Sequence, residues 1–489
     1  MNNKKYILIY TGVLYLINLL FTDFTGAQSK SQLIDDYLQK VYNNNQLSGA
    51  VLVADSGKII YANAFGFADL EWKIPNTTDT KFRIASITKQ FTAFLVLQMV
   101  EEGILNLKDS ITKYIHWYPP EKGNKISIHH LLSHTSGLPH YEAFPDFFPE
   151  KSRRKYSHEQ FVRMISETNL ISDPGTKFSY SSFGYYILGY ILELLTGKSY
   201  GELLNEKILA PLGLNNTTLD DNVTIIEKRA EGYDNYFGVL YNEGFRDMST
   251  ALATGDMIST VFDLFLWDQS LYTDTLLSDQ YRELLFKPGP GNYAYGWFID
   301  TLSFGNKNVV VNSHSGGTVG FESLIVRYPE DNKTTIVLNN VVPSFIYPIS
   351  TGLSKILYDE LPELPKLSLA DRLAQILRYS PVDSAIKEYY SLKNCCIGNY
   401  NFELSELNRL GYFLIDQNRL SDAIEIFKLN AQNYPESYQV YESLAEAYLR
   451  NNQFNKAYEN ISKSLELNPG SSSLQEKLNK IAEGKTGSE

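Results

Sequence analysis

The stretch FRIASITKQF, residues 82–91, places Ser86 three residues ahead of Lys89, where the chain enters the long apolar run ITKQFTAFLVLQMVEEG. Residues at i and i+3 share one face of a helix, so the lysine amine reaches the serine hydroxyl. Spacing alone decides little, because it recurs at Ser110/Lys113, Ser152/Lys155 and Ser384/Lys387. Surroundings separate the four. The second pair lies in the polar NLKDSITKYI, the third in the charged EKSRRKYSHE and the fourth in a helical tail, and each reads as a solvated face. Ser86 instead opens a helix ended by Gly103, whose free N-terminal N–H groups and positive end suit a developing anion. A lysine in this apolar setting has its pKa lowered toward that of a usable base. The bland alternative is a serine that merely caps a buried helix, which is common.

Working outward, 489 residues are too many for one ordinary domain, and two or three are expected. With 43% hydrophobic and 20% charged residues the composition is globular. A net charge of −12 argues against a nucleic-acid partner, which needs a basic face. At the N-terminus, Lys4 and Lys5 precede the apolar YILIYTGVLYLINLLF, and TGA supplies small residues before a cut after Ala27. Residues 1–27 are therefore expected to be a secretory signal, with a periplasmic or secreted product and no stable membrane span. The alternative is an uncleaved N-terminal anchor. Cys395 and Cys396 are adjacent, with Cα atoms about 3.8 Å apart, below the usual disulfide range, so they are expected to be buried hydrophobes.

SGAVLVADSGKIIYANAFG reads as two strands around the turn DSGK, and NVVVNSHSGG, FESLIVRYP and KTTIVLNNV read as three more. Strands at both ends of a segment with helices between them predict an α+β fold: one antiparallel sheet, closed by distant parts of the chain, over residues 28–360. Two prolines in LPELPKLSL suggest a linker, placed at 361–380. Beyond it the patterns are helical and repeat. Ala423 and Ala457 stand 34 apart (457 − 423), as do Pro435 and Pro469, Leu420 and Phe454, and Gly411 and Ala445. That period, with small residues at helix contacts, resembles tetratricopeptide repeats and predicts an all-α domain over 381–480, with PVDSAIKEYYSLK in a degenerate earlier copy and a polar tail at 481–489. Such repeats present a concave surface, so a protein partner or self-association is expected there.

Downstream of ASITKQF come HHLLSHTSGLPHY, PGTKFSYSSFGYYILGYILELLTG and NSHSGGTVGFES, with PLGLNNT, ATGDMISTVFDLFLW and YAYGW among them. In this order the motifs resemble the serine beta-lactamase and penicillin-binding-protein superfamily, nearest its class C-like branch with D-aminopeptidases, DD-carboxypeptidases and esterases. The resemblance covers roughly residues 30–360. It implies Ser86 as the acylated nucleophile, Lys89 as its proton partner and Tyr180 as the tyrosine that relays a proton to the leaving group, its pKa lowered by Lys89. It aligns His314, Ser315 and Gly316 with the family's Lys-Thr-Gly strand, and implies an oxyanion hole from the N–H groups of Ser86 and Gly317. Ser182 stands where the family has Asn, and His314 replaces a fixed positive charge. Both changes point away from efficient beta-lactam or D-Ala-D-Ala turnover and toward small ester or peptide substrates, D-amino-acid or peptidoglycan-derived ones included.

His129, His130 and His134 form a rival constellation, and His130/His134 have the i, i+4 spacing of a zinc pair. No Glu lies between them as in the usual metalloprotease motif, so capping and packing are expected instead, with no metal and no cofactor. Substrate specificity is expected from loops 140–160 and 233–248. The competing functional reading is a non-catalytic or slowly acylated penicillin-binding sensor that acts through its repeats.

Overall fold

The computed structural model describes residues 29–482. The expected signal segment, whether cleaved after Ala27 or kept as an anchor, lies outside them, as do residues 483–489 of the expected tail. Among the described residues no helix is long and apolar enough to cross a membrane.

Helix α1 (Lys30–Asn43) starts at Ser29, whose side chain accepts from the Gln32 N–H. Strands β1 (Gly49–Asp55) and β2 (Lys58–Phe65) follow, then the short β3 (Phe82–Arg83), a 3-10 turn at Ala85–Ile87 and helix α2 (Thr88–Glu101). After helix α3 (Ser182–Thr196) come β4 (Thr218–Leu219), the hairpin β5 (Tyr233–Tyr236) and β6 (Val239–Asn242), β7 (Met257–Ser259) and helix α4 (Val261–Ser270). Strands β8 (Phe298–Phe304), β9 (Lys307–Thr318), β10 (Phe321–Tyr328), β11 (Lys333–Asn339) and β12 (Val341–Val342) lead to helix α5 (Ile346–Leu357). The main sheet is antiparallel throughout, in the order β8-β9-β10-β11-β1-β2. This is the α+β sheet expected from the strand patterns at both ends of the segment.

Alternation along β1 explains why the sheet stays buried on both faces. Ala50, Leu52 and Ala54 point into the large core with α2 and α3, while Val51 and Val53 point into a second core with α1 and α5. Helix α2 is buried from Thr88 to Met99 and passes through the large core, with Phe91 stacked on Trp267 of α4 at 4.2 Å. That helix carries Lys89 and follows directly on the turn that holds Ser86, so the site is set against the large core.

Within the expected linker 361–380, Leu369–Leu377 forms a helix, α6, whose Leu369, Leu373 and Leu377 enter the core of the helical region. Residues 360–366, with Pro362 and Pro365, hold no regular element, and the amphipathic LADRLAQIL after them belongs to the helices. It packs with α7 (Val382–Cys395), the stretch expected to end a degenerate repeat. Helices α8 (Leu404–Asp416), α9 (Leu420–Asn433), α10 (Tyr438–Arg450) and α11 (Phe454–Leu467) keep the period, since Leu404 and Tyr438, like Leu420 and Phe454, start helices 34 residues apart. Helix α12 (Ser472–Ala482) closes the described chain and runs into the expected polar tail. The cysteines correct a second expectation. Cys395 and Cys396 are joined in a disulfide, Cys395 exposed and Cys396 half-buried, rather than buried as free thiols. Cα distance alone does not decide such a pair, and Cys396 stands just past the helix end, at φ −142° and ψ 29°.

Candidate active site

From Phe82 to Met99 every residue is buried except Ser86, which is half-buried. The Ala85–Ile87 turn is held by the Ile84 N–H on the Met257 carbonyl at 3.0 Å, and Ala85 takes a left-handed φ of 44°. Left-handed backbone at a non-glycine residue needs support from its surroundings, and here it exposes the next hydroxyl. Lys89 is 0% exposed; its Nζ lies 2.9 Å from Ser86 Oγ and donates to the Thr254 carbonyl at 2.8 Å. Burial, then the charge of Arg246, holds the amine well below the ordinary lysine range, with Asp256 opposing weakly. Lys113, Lys155 and Lys387 are all exposed, and Lys113 is paired with Asp109 at 2.8 Å. Burial separates Lys89 from the other three.

Tyr180 faces the pair, with Lys89 Nζ 5.2 Å from its ring centroid. Burial pushes its phenol pKa up, and a hydrogen bond with Ser86 offsets only part of this. Lowering by Lys89 was the expectation. Desolvation outweighs any such effect and leaves Tyr180 a neutral phenol. His134 packs on the Tyr180 ring at 4.2 Å, and its Nδ1 accepts from the Ser181 N–H. Ser182 begins α3, buried, and its N–H donates to His140 Nδ1 at 3.3 Å. Burial, then Lys89, depresses the His140 pKa to about 4.

His314 lies buried on β9, its Nε2 3.1 Å from the Tyr293 hydroxyl and its Nδ1 2.5 Å from the Ser315 carbonyl. A carbonyl only accepts, so Nδ1 carries the proton and Nε2 accepts from Tyr293. Burial, then Lys89, lowers its pKa to about 3, so the imidazole is neutral. Ser315 accepts from the hydroxyl of Tyr347, at the start of α5, at 2.6 Å. Strand β8 pairs with β9 only as far as Ser313, whereas β10 pairs through Thr318, so residues 314–318 keep a partner on one side alone. There β9 meets the nucleophile turn: a Cβ on Gly316 would stand 2.1 Å from the Ile84 carbonyl oxygen and 2.9 Å from the Ser86 nitrogen. Gly317 is exposed and has nothing within 4 Å of that position.

The structure thus brings Ser86, Lys89, Tyr180, His314 and Gly316 together, with Ser315 and Ser182 at the edges. The three histidines do not share a focus. His129 Nδ1 meets the Tyr295 hydroxyl, His130 Nδ1 accepts from the Ser127 N–H, and His134 lies past the helix end at φ 53°, off the face that i, i+4 spacing assumes. Sequence reading missed Thr254, Tyr293, Tyr347, Asp256 and Arg246. The quoted ATGDMIS holds Thr254 and Asp256, the latter raised to about pKa 7 by burial. Arg246 is nearly buried, without an ion-pair partner among the described residues, and donates to the Tyr141 hydroxyl and to Thr318. A cavity of about 730 Å³ beside Tyr180 is lined by His140, Phe144, Ile171 and Ser179.

An antiparallel sheet whose open-edged strand abuts a serine–lysine pair at the start of a buried helix is the arrangement of the serine beta-lactamase and penicillin-binding-protein superfamily. The chain belongs to the beta-lactamase family, whose model matches residues 31–346. It is 30% identical to penicillin-binding protein 4* of Bacillus subtilis (strain 168) over 342 residues, 64% of this chain and 72% of that protein. FmtA from Staphylococcus aureus superposes with a TM-score of 0.59 at 26% identity, covering 69% of this chain and 91% of FmtA. D-amino acid amidase from Ochrobactrum anthropi SV3 does so with 0.55 at 25% identity, covering 67% of this chain and 96% of the amidase.

Proposed function

We propose that the chain is an exported serine hydrolase that cleaves small esters or peptide-type amides through an acyl-enzyme on Ser86. The observation that carries this reading is the fully buried Lys89 amine 2.9 Å from Ser86 Oγ. A neutral amine takes the Ser86 proton as Oγ adds to the substrate carbonyl. The N–H groups of Ser86 and Gly317 receive the oxyanion. Collapse expels the alcohol or amine, which takes its proton from the Lys89 ammonium by way of the Tyr180 hydroxyl. Water then adds to the ester, gives its proton to Lys89, and the acid leaves as Ser86 is reprotonated.

Neutral His314 offers no fixed charge for a substrate carboxylate, which favours esters and amides over D-Ala-D-Ala peptides or beta-lactams. D-amino-acid amides belong in the set because an amidase for them shares the fold at 25% identity. Export rests on the signal pattern of residues 1–27 and the tetratricopeptide reading on the 34-residue period. A second reading, a sensor that is acylated and not hydrolysed, is favoured by Ser182 in place of the family asparagine. One experiment addresses both. The protein is offered nitrophenyl esters, D-amino-acid amides and a penicillin, with intact-mass measurement at each time point. The hydrolase reading expects turnover of esters or D-amides with a transient mass gain mapping to Ser86. A permanent gain without turnover selects the sensor, and no turnover with no gain sinks both.

A further inference from the structure

The hairpin β5–β6 lies in the stretch expected to be a specificity loop, yet its tip is built into the other domain. Phe237 is 1% exposed within the core of the helical region. Its ring stacks on Phe413 of α8 at 4.3 Å, Arg409 lies over it at 4.5 Å, and Arg378 donates to its carbonyl at 2.6 Å. A hairpin that served only the hydrolase sheet would not bury an aromatic tip among another domain's helices.

The base of the same hairpin reaches the active site from behind. The Glu243 N–H closes it on the Gly232 carbonyl at 3.1 Å, and the Glu243 carboxylate pairs with Arg83 at 2.6 Å. Arg83 is buried on β3, three residues before Ser86, and its guanidinium lies 5.5 Å from the Phe321 ring centroid. The other carboxylate oxygen is packed against two glycines. A Cβ on Gly232 or on Gly320 would stand 2.1 Å or 2.4 Å from Glu243 Oε2. Gly320 forms the β9–β10 turn, three residues beyond Gly317. One carboxylate therefore touches the approach to the nucleophile and the turn beyond the oxyanion strand, and it sits at the foot of a lever held by the helices.

We propose that the helical domain positions the nucleophile turn and β9 through this hairpin, with Phe237 as the grip and Glu243 as the point where the hairpin meets both strands. The inference rests on the hydrolase reading for its catalytic consequence, not for the mechanical coupling. Both residues act through others and are positioning residues. Buried ion pairs and close-packed glycines transmit displacement because such packing has few alternative arrangements.

The test compares the full chain with Phe237→Ala, Glu243→Gln and the double variant, by hydrogen exchange and by ester kinetics. Arg378→Met, which loosens the tip without opening a core void, serves should Phe237→Ala fail to fold. Tyr458→Ala, exposed on α11, is the control expected to change nothing. Expected is faster exchange in segments 80–90 and 312–322, with kcat down ~10–100-fold at a KM within about two-fold. The double variant should be no worse than the worse single one. Unchanged exchange in either segment overturns the coupling, whatever the activity does. Full kcat despite loosened exchange overturns the positioning of the nucleophile, and a double loss equal to the product of the singles overturns the shared route through the hairpin. A wild type inert to every substrate would instead sink the hydrolase reading, and the exchange result alone would then decide the coupling.

Discussion

Alanine at Ser86 should remove turnover almost entirely, a loss of about 10⁶-fold in kcat on the scale of other serine nucleophiles, and adding Lys89→Ala should cost little more. The two side chains form one proton-transfer unit 2.9 Å across, so removing either leaves the other without a task. Lys89→Ala alone should therefore approach the same loss, and it should also prevent fluorophosphonate labelling, since an unactivated serine is a poor nucleophile. The measurement is kcat/KM for the two singles and the double, with thermal denaturation to show that each is folded. Appreciable turnover by Ser86→Ala, or a double loss near the product of the singles, would sink the acyl-enzyme assignment.

The sign of the pH dependence follows from the same pair. Lys89 works as a base only when neutral, so kcat/KM should fall as pH drops through its pKa. Burial and then Arg246 hold that pKa well below 10.5, which moves the acid limb down from where an ordinary lysine would put it. Removing the guanidinium in Arg246→Gln takes away a charge that opposes protonation, so the limb should move to higher pH. His314 at about 3 and His140 at about 4 are already neutral above pH 5 and add no limb of their own there. A limb abolished by His314→Asn would show that the histidine, not Lys89, is the base.

Legibility in the sequence divides along the range of the interaction. Ser86 and Lys89 were readable because one helical turn joins them, and β1, β9, β10 and β11 because alternation or an apolar run marks a buried strand locally. Tyr180 and His314 came only through the order of their motifs, since nothing near either one distinguishes it from another aromatic or another histidine. Arg246 and Tyr347 had no local signal, and Thr254 and Tyr293 lay inside quoted motifs with nothing to mark them out: each reaches the site from a remote segment. The phenol of Tyr180 was misjudged for a related reason, because its pKa depends on desolvation by packing rather than on one charge. Phe237 read as loop because the core it fills belongs to residues beyond 369.

Adjacent glycines on β9 give the sharpest contrast in expected outcome. Gly316→Ala should lower kcat by about 10²-fold or more, the scale of a 1 Å misplacement at a reacting centre. It should also destabilise the fold by about 1–3 kcal/mol, as overpacking does. Gly317→Ala should do neither. The argument rests on which atoms collide. At Gly316 the added carbon would meet the Ile84 carbonyl oxygen at 2.1 Å, Ser323 Oγ at 2.6 Å and the Ser86 nitrogen at 2.9 Å. Two of these are backbone, and both belong to the turn that presents the nucleophile, so relief must come by moving Ser86 or the strand. At Gly317 the same carbon meets nothing within 4 Å, while the N–H that serves the oxyanion is kept. Kinetics and thermal denaturation of the two variants side by side provide the check. Equal tolerance at both positions would mean that β9 does not press on the nucleophile turn, and the geometry assigned to the oxyanion site would fail with it.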